Sequence, residues 1–179
     1  MLFKKKKKII NTATIIYKKI ILQSRNKTFY SKALVPDTID GRFELIILHF
    51  FFINLLLKNK GEQEKSLSEE IISLMFKDFD YNLREMGVGD LSVKKKIYHM
   101  SEALAGRIKA YEEAKEKKVK FIEKAIRRNL YGTLEKVNAS SLTIMKKYFL
   151  DSIKLIKKNN LLEITEKDVI FLDLNNYFK

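Results

Sequence analysis

The side chains best suited to recognise or transform a substrate are few in this chain, and they are unevenly placed. Three of its six arginines, Arg42, Arg84 and Arg107, lie in glycine-bearing stretches: Asp40-Gly41-Arg42-Phe43, Leu83-Arg84-Glu85-Met86-Gly87-Val88-Gly89-Asp90 and Gly106-Arg107. Four of the six glycines sit there too, and the only proline, Pro36, just precedes the first stretch. The chain has 30 lysines, so an arginine kept among glycines points to a planar fork that lysine cannot replace. Carboxylates Asp37, Asp40, Asp80, Glu85 and Asp90 are numerous enough for acid–base chemistry. With arginines between them, a salt-bridged scaffold is the favoured reading. The expectation is one charged cluster of Asp37, Asp40, Arg42, Arg84, Glu85 and Asp90 around the two glycine turns, bridging the open ends of helices.

Other chemistry is poorly represented. His49 and His99 have no partner at metal-ligand spacing, and nothing like H-E-x-x-H occurs. A lone histidine on a helix is usually a packed or surface residue; His49 lies in an apolar run, and a hydrogen bond to a motif carboxylate is the alternative use of its ring. Gly87-Val88-Gly89 lacks the third glycine and the preceding strand of a dinucleotide fingerprint. There is no Walker A motif and no nucleophile elbow. Cysteine is absent, which removes disulfides, thiolate catalysis and cysteine zinc sites. The expectation is a protein that is not an enzyme and takes no metal, cofactor or small-molecule substrate.

The elements that must position these residues read as helices. With 179 residues, 46% of them hydrophobic, the chain can bury a core of one domain. So little glycine and proline cannot punctuate a turn-dense β fold. A mainly α, single-domain helical bundle follows. Its expected parts are a basic segment at 1–8, a helical domain at 9–158, and a tail at 159–179. Ile9, Ala13, Ile16, Tyr17 and Ile20 mark one face of a helix at about 9–24. That face either docks on the core, the favoured reading, or lies on an anionic membrane. After a Val35-Pro36-Asp37-Thr38 bend, Asp40 is the expected N-cap of a helix at about 41–58. The run Phe43–Leu57 in that helix is the most apolar of the chain. At about 1.5 Å per residue it spans only about 22 Å, so it predicts a buried central helix rather than a membrane span.

A polar linker at 58–65 precedes Ser66-Leu67-Ser68-Glu69, a capping box expected to start a helix that runs to about 86. Gly87 as C′, with Leu83 and Val88 as the apolar pair, predicts a Schellman stop. A long helix at about 93–115 follows, and Gly106, Ala110 and Ala114 on it predict close approach of another helix. Further helices are expected at 117–131 and 140–158. The tail alternates like strand around Thr165–Asp168, which predicts a short β-hairpin.

The net charge of +14 admits nucleic acid or an anionic membrane as a partner. The lysine-heavy composition is also what an AT-rich coding sequence yields, so solvated faces account for much of it.

The same stretches resemble the ubiquinol–cytochrome c chaperone family, assembly factors of the respiratory bc1 complex. The resemblance is carried by Phe29-Tyr30, by Val35-Pro36-Asp37-Thr38-Ile39-Asp40-Gly41-Arg42-Phe43-Glu44-Leu45 and by Leu48-His49. It continues through Met75 to Val93, with Asp80, Leu83, Arg84, Glu85, Met86, Gly87, Val88, Gly89 and Asp90. Met100, Gly106-Arg107, Tyr111 and Arg128-Asn129-Leu130-Tyr131 complete it. It implies a helical, non-enzymatic factor that binds newly made cytochrome b. The motif residues are then the candidates for client contact, including Thr38, Phe43, His49 and Tyr111. The chain resembles the shorter bacterial type, expected from an alphaproteobacterium. Its expected place is the cytoplasm, with peripheral contact at the inner face of the cell membrane and association with the ribosome left open. Met75, Met86 and Met100 are adaptable enough to line a groove for an apolar client segment. The alternative is a lysine-driven RNA- or ribosome-binding module.

Overall fold

A computed structural model describes residues 2–117 and 119–178. The helices are α1 (Leu2–Ser24), α2 (Lys27–Ser31), α3 (Ile39–Leu57), α4 (Glu62–Glu85), α5 (Asp90–Glu116), α6 (Val119–Leu130) and α7 (Ala139–Ile156). Single 3₁₀ turns follow at Leu161–Glu163 and Leu174–Tyr177. α3 occupies the centre and touches α1, α4, α5, α6 and α7. Its position follows from its sequence. Leu45, Ile47, Leu48, Phe50, Phe51, Phe52 and Ile53 are all buried, which places apolar side chains right round the helix. The other helices each bring one apolar face to it. Phe51 stacks on Phe149 of α7 at 5.6 Å between ring centroids and meets Tyr111 of α5 at 5.2 Å.

α1 is continuous through the lysine run, since lysine is a good helix former. Ala13, Ile16 and Ile20 are fully buried, so its apolar stripe docks on the core and is already covered. The Tyr17 hydroxyl donates to Asp78 of α4 at 2.7 Å, which fixes the two helices side by side.

Several helix ends differ from the sequence-based expectation. Thr38, not Asp40, caps α3: its hydroxyl accepts from the Gly41 N–H at 3.1 Å, while Asp40 sits in the first turn. There its charge still favours the helix N-terminus. α4 begins a full turn before the capping box, at Gly61, with Glu62 and Glu64 in its first turn. The Ser66 hydroxyl donates back to the Glu62 carbonyl at 2.8 Å, so it serves inside the helix. The Schellman stop forms as expected. Gly87 has φ +78°, the Val88 N–H donates to the Leu83 carbonyl at 3.1 Å, and the Gly87 N–H donates to Arg84 at 2.8 Å.

The tail forms no strand among the described residues. Asp168 accepts from the Thr165 N–H and hydroxyl, both at 2.7 Å, closing a turn. Ile164, Ile170, Phe171 and Leu174 then drop into the core singly. The alternation of the sequence reflects this anchoring of an irregular segment, with no partner strand.

His49 holds the centre together. Its Nδ1–H donates to the Leu45 carbonyl at 2.7 Å with the Ser24 hydroxyl 3.1 Å away, and its Nε2 accepts from the Tyr148 hydroxyl at 2.8 Å. Gln23 in turn donates to Tyr148 at 3.0 Å and to the Leu172 carbonyl at 2.7 Å. One ring thereby ties α1, α3, α7 and the tail. It is a packed core residue, and the alternative of a carboxylate partner is not met, because its neighbours are Phe29, Phe52, Tyr148 and Phe171. Burial lowers its pKa from 6.5 to about 4. The neutral ring therefore favours the folded state fully above about pH 6.5, and that contribution is lost as pH falls towards 4. At 1.36 kcal/mol per pKa unit the loss amounts to about 3 kcal/mol. Urea denaturation at pH 7 and pH 4.5 is expected to show it, with a smaller pH difference in His49→Gln. An equal pH dependence in that variant would remove His49 as the cause.

Candidate functional site

The motif residues gather on two adjoining clefts rather than in one charged cluster. Both open at the N-terminal half of α3, the first towards α4 and the second towards α5 and the end of α6, and Ile39, Phe43, Leu83 and Met100 line both.

The first cleft, of about 390 Å³, is mainly apolar. Phe43 and Phe79 form its floor, edge to face at 5.3 Å. Ile46, Leu83, Met86 and Met100 surround them, with Tyr30 and the Asp37–Arg42 pair at the rim. Met86 is 55% exposed, whereas Met75 is fully buried in the core. Of the three methionines expected to line a groove, two do so. The Arg42 Nε donates to Asp37 at 2.7 Å, which holds the Asp37 carboxyl below its usual range. Both are largely exposed, so this pair fixes the rim more than it stabilises the fold.

The glycine before Arg42 is a packing requirement. A Cβ on Gly41 would lie 2.0 Å from the Pro36 carbonyl oxygen. The loop it packs against is pinned from elsewhere. The Tyr131 hydroxyl donates to the Ala33 carbonyl at 2.6 Å and the Val35 N–H donates to Phe29 at 2.9 Å. Leu34 between them takes φ 58°, a conformation that a leucine holds only when its neighbours fix it.

The second motif forms its own ion-paired corner. The Arg84 fork spans Asp80, at 2.6 Å from Nε, and Asp90 at the start of α5, clamping α4 to α5 across the glycine turn. No ion pair joins this corner to Arg42 or Asp37 among the described residues, so the single-cluster expectation is corrected to two separate groups. The cause is reach. Each arginine finds a carboxylate within six residues on its own segment. Glu85 and Gly89 are exposed, and Val88 is half-buried beside them.

The second cleft, of about 570 Å³, has a polar floor. Arg107 donates from Nε to one oxygen of the Glu44 carboxylate at 2.9 Å, and its Nη2 lies 2.8 Å from the same oxygen as an ion pair. Glu44 is buried in α3, and burial raises its pKa against the opposing pull of Arg107. Tyr111, also buried, lies one turn along α5, and burial raises its pKa as well. The Asn129 amide lies near enough to ease that rise yet makes no hydrogen bond to it by geometry. Glu44, Asn129 and Arg128 were not singled out as site residues by sequence reasoning. The signal available was a carboxylate inside the most apolar run, which demands a cation from another segment. Gly106 itself is exposed with nothing within 4 Å of a built Cβ, so no helix approaches it. The small-residue stripe is correctly read only at Ala114, which is buried.

Most residues lining these clefts fall in 31–171, the span matched by a family model described as ubiquinol-cytochrome C chaperone; Ser24, Arg25 and Tyr30 precede it. The chain belongs to that family. A solved structure, the Cbp3 homolog from Brucella abortus, is similar over 97% of this chain and 96% of its own, with 29% identity and a TM-score of 0.78. Ubiquinol-cytochrome-c reductase complex assembly factor 1 of Xenopus laevis is 26% identical over 102 residues, 57% of this chain and 51% of the frog protein. The mouse and human assembly factors are 26% identical over 106 residues each, or 36% of their length. The chain thus spans about half or less of these curated relatives. The chaperone family's helical fold is the one observed, and no helix of the described residues is long and apolar enough to cross a membrane.

Two glycine substitutions separate the packing role from mere sequence pattern. Gly41→Ala is expected to cost about 1–3 kcal/mol, because the Pro36 carbonyl is backbone and has little room to move. Gly106→Ala is expected to stabilise by up to about 1 kcal/mol, since it meets nothing and gains helix propensity. Thermal melts of both variants check this, and equal effects would contradict it.

Proposed function

We propose that this protein captures newly made cytochrome b and promotes its assembly into the bc1 complex, acting as a binding protein rather than a catalyst. The observation that carries this reading is the apolar cleft, whose floor and rim come from the family's own motif stretches: Phe43, Leu83 and Met86 beside Asp37 and Arg42. Such a cleft suits an apolar side chain of a client segment. Exposed methionine adapts its shape to different occupants, and the charged rim gives a docking segment polar anchors. Names of the relatives support the complex concerned, since the frog, mouse and human proteins are assembly factors of ubiquinol–cytochrome c reductase.

A second reading, electrostatic binding to ribosomal RNA, is favoured by one feature. Lys4, Lys5, Lys6 and Lys7 are exposed on α1 with no carboxylate partner among the described residues, while Lys8 pairs with Glu163 at 2.6 Å. Contact with an anionic membrane would fall to the same lysines, since the apolar stripe of α1 is covered. RNA binding through these lysines would weaken steeply with salt, with a slope set by the phosphates engaged. Binding to total RNA that is absent or insensitive to salt would remove this reading.

Deletion of the gene is expected to lower assembled bc1 complex while leaving unrelated membrane complexes intact. Wild-type protein should restore it, and Met86→Asp, a change at an exposed position, should fold normally and fail to do so. Normal bc1 levels in the deletion strain would refute the proposal. Arg84→Lys offers a contrasting case. The Arg84 pairs are exposed, so the change is expected to shift stability by less than about 1 kcal/mol.

A further inference from the structure

The polar cleft has chemistry that capture of an apolar segment does not use. Lys96, Arg107 and Arg128 line it against two carboxylates, Asp40 and Glu44. Glu44 is already engaged by Arg107 through one oxygen. Arg128 and Lys96 have no carboxylate partner among the described residues, although the chain carries 22 acidic residues. The Arg128 Nε instead donates to the Asn129 side-chain carbonyl at 3.3 Å. With that oxygen facing Arg128, the Asn129 amide has only its N–H groups left to offer. Asn129 is just 5% exposed, and its Nδ2 makes no hydrogen bond although the equally unpartnered Tyr111 hydroxyl lies close by. A buried donor left unpaired is destabilising, and an acceptor entering the cleft would relieve it.

We propose that this cleft binds a compact oxyanion, a carboxylate or a phosphate monoester. The oxyanion would accept from the Arg128 fork, the Lys96 ammonium and the Asn129 amide, beside Arg107. Guanidinium with a neutral amide donor is a pairing that suits planar or tetrahedral oxyanions. The acidic groups present do not oppose it decisively. Asp40 is exposed in the first turn of α3, and the Glu44 charge is paired with Arg107. The free Glu44 oxygen also lies on this floor without a partner, and burial eases protonation of that carboxyl, which would turn it into a further donor. The cleft adjoins the apolar one through Phe43, Leu83 and Met100, so a ligand could carry an apolar group into the neighbouring space.

The test is a side-chain NMR titration of the full chain, following Arg Nε–H and Asn amide signals at constant ionic strength. Two probes are used separately, N-acetyl-aspartate methylamide and inorganic phosphate. Saturable shifts at Arg128 and Asn129 are expected, with affinity lowered about tenfold in Arg128→Gln. Lys96→Gln, at another exposed position, is expected to weaken binding severalfold, and Lys65→Gln, outside both clefts, to leave it unchanged. A stronger response to the aspartate probe assigns the site to an acidic protein side chain, and a stronger response to phosphate assigns it to a phosphorylated ligand. The proposal fails if neither probe saturates. It also fails if Arg128→Gln and Lys96→Gln bind as wild type, or if shifts spread evenly over the lysine-bearing helices as for an adventitious ion.

Discussion

Everything else in the structure depends on burying α3 on all sides. A helix apolar around its whole circumference cannot lie at a surface, so five other helices must each supply a face to it. The consequence is that a polar group on a packed face of α3 goes into the interior with it, while Asp40 and Arg42 stay exposed at its open start. Only two of its buried side chains are polar, and each recruits a network from distant sequence. His49 gathers Tyr148, Ser24 and, through Tyr148, Gln23. Glu44 gathers Arg107. The first network closes on itself and fastens the core. The second does not, and leaves unpartnered atoms on the floor of a cleft.

This division places the packed core and the open clefts at opposite ends of one helix. Towards its C-terminal half α3 is encased in Phe149, Tyr111 and Tyr148. At its N-terminal end the chain arrives through a loop held by Tyr131 and by close packing of Pro36 on Gly41. That loop keeps the start of α3 from being covered, and both clefts form there. The family's motifs are thus partly scaffold. Gly41, Gly87 and the Arg84 clamp shape the rims, while Phe43, Leu83 and Met86 furnish the surface available to a partner.

How much of this was legible in the sequence follows from the range of each interaction. Periodicity found the helices and the central place of α3, because each depends on residues within a few turns. Gly87 was read as the C′ of a Schellman stop with Leu83 and Val88 as its apolar pair, for the same reason. Failures came both from local competition and from distant partners. The start of α4 was misplaced by a motif whose serine serves within the helix. The tail alternates as a strand would, yet its apolar residues are anchors with no neighbour to pair with. Gly106 suggested a helix crossing that does not occur. Arg42 and Arg84 were expected to converge because both motifs fall at helix ends with open backbone groups, but each is satisfied by a carboxylate close in sequence. Glu44 was passed over because its partner lies 63 residues away.

The central claim is that the surface at the start of α3 is where a bc1 subunit meets this protein. A photo-crosslinking residue placed at Met86, in cells making the complex, tests it most directly, with the same residue at Val169, exposed outside both clefts, as the reference. The account requires a crosslink from position 86 to newly made cytochrome b and none from position 169. Crosslinks of equal yield from both positions, or cytochrome b captured only from position 169, would contradict it.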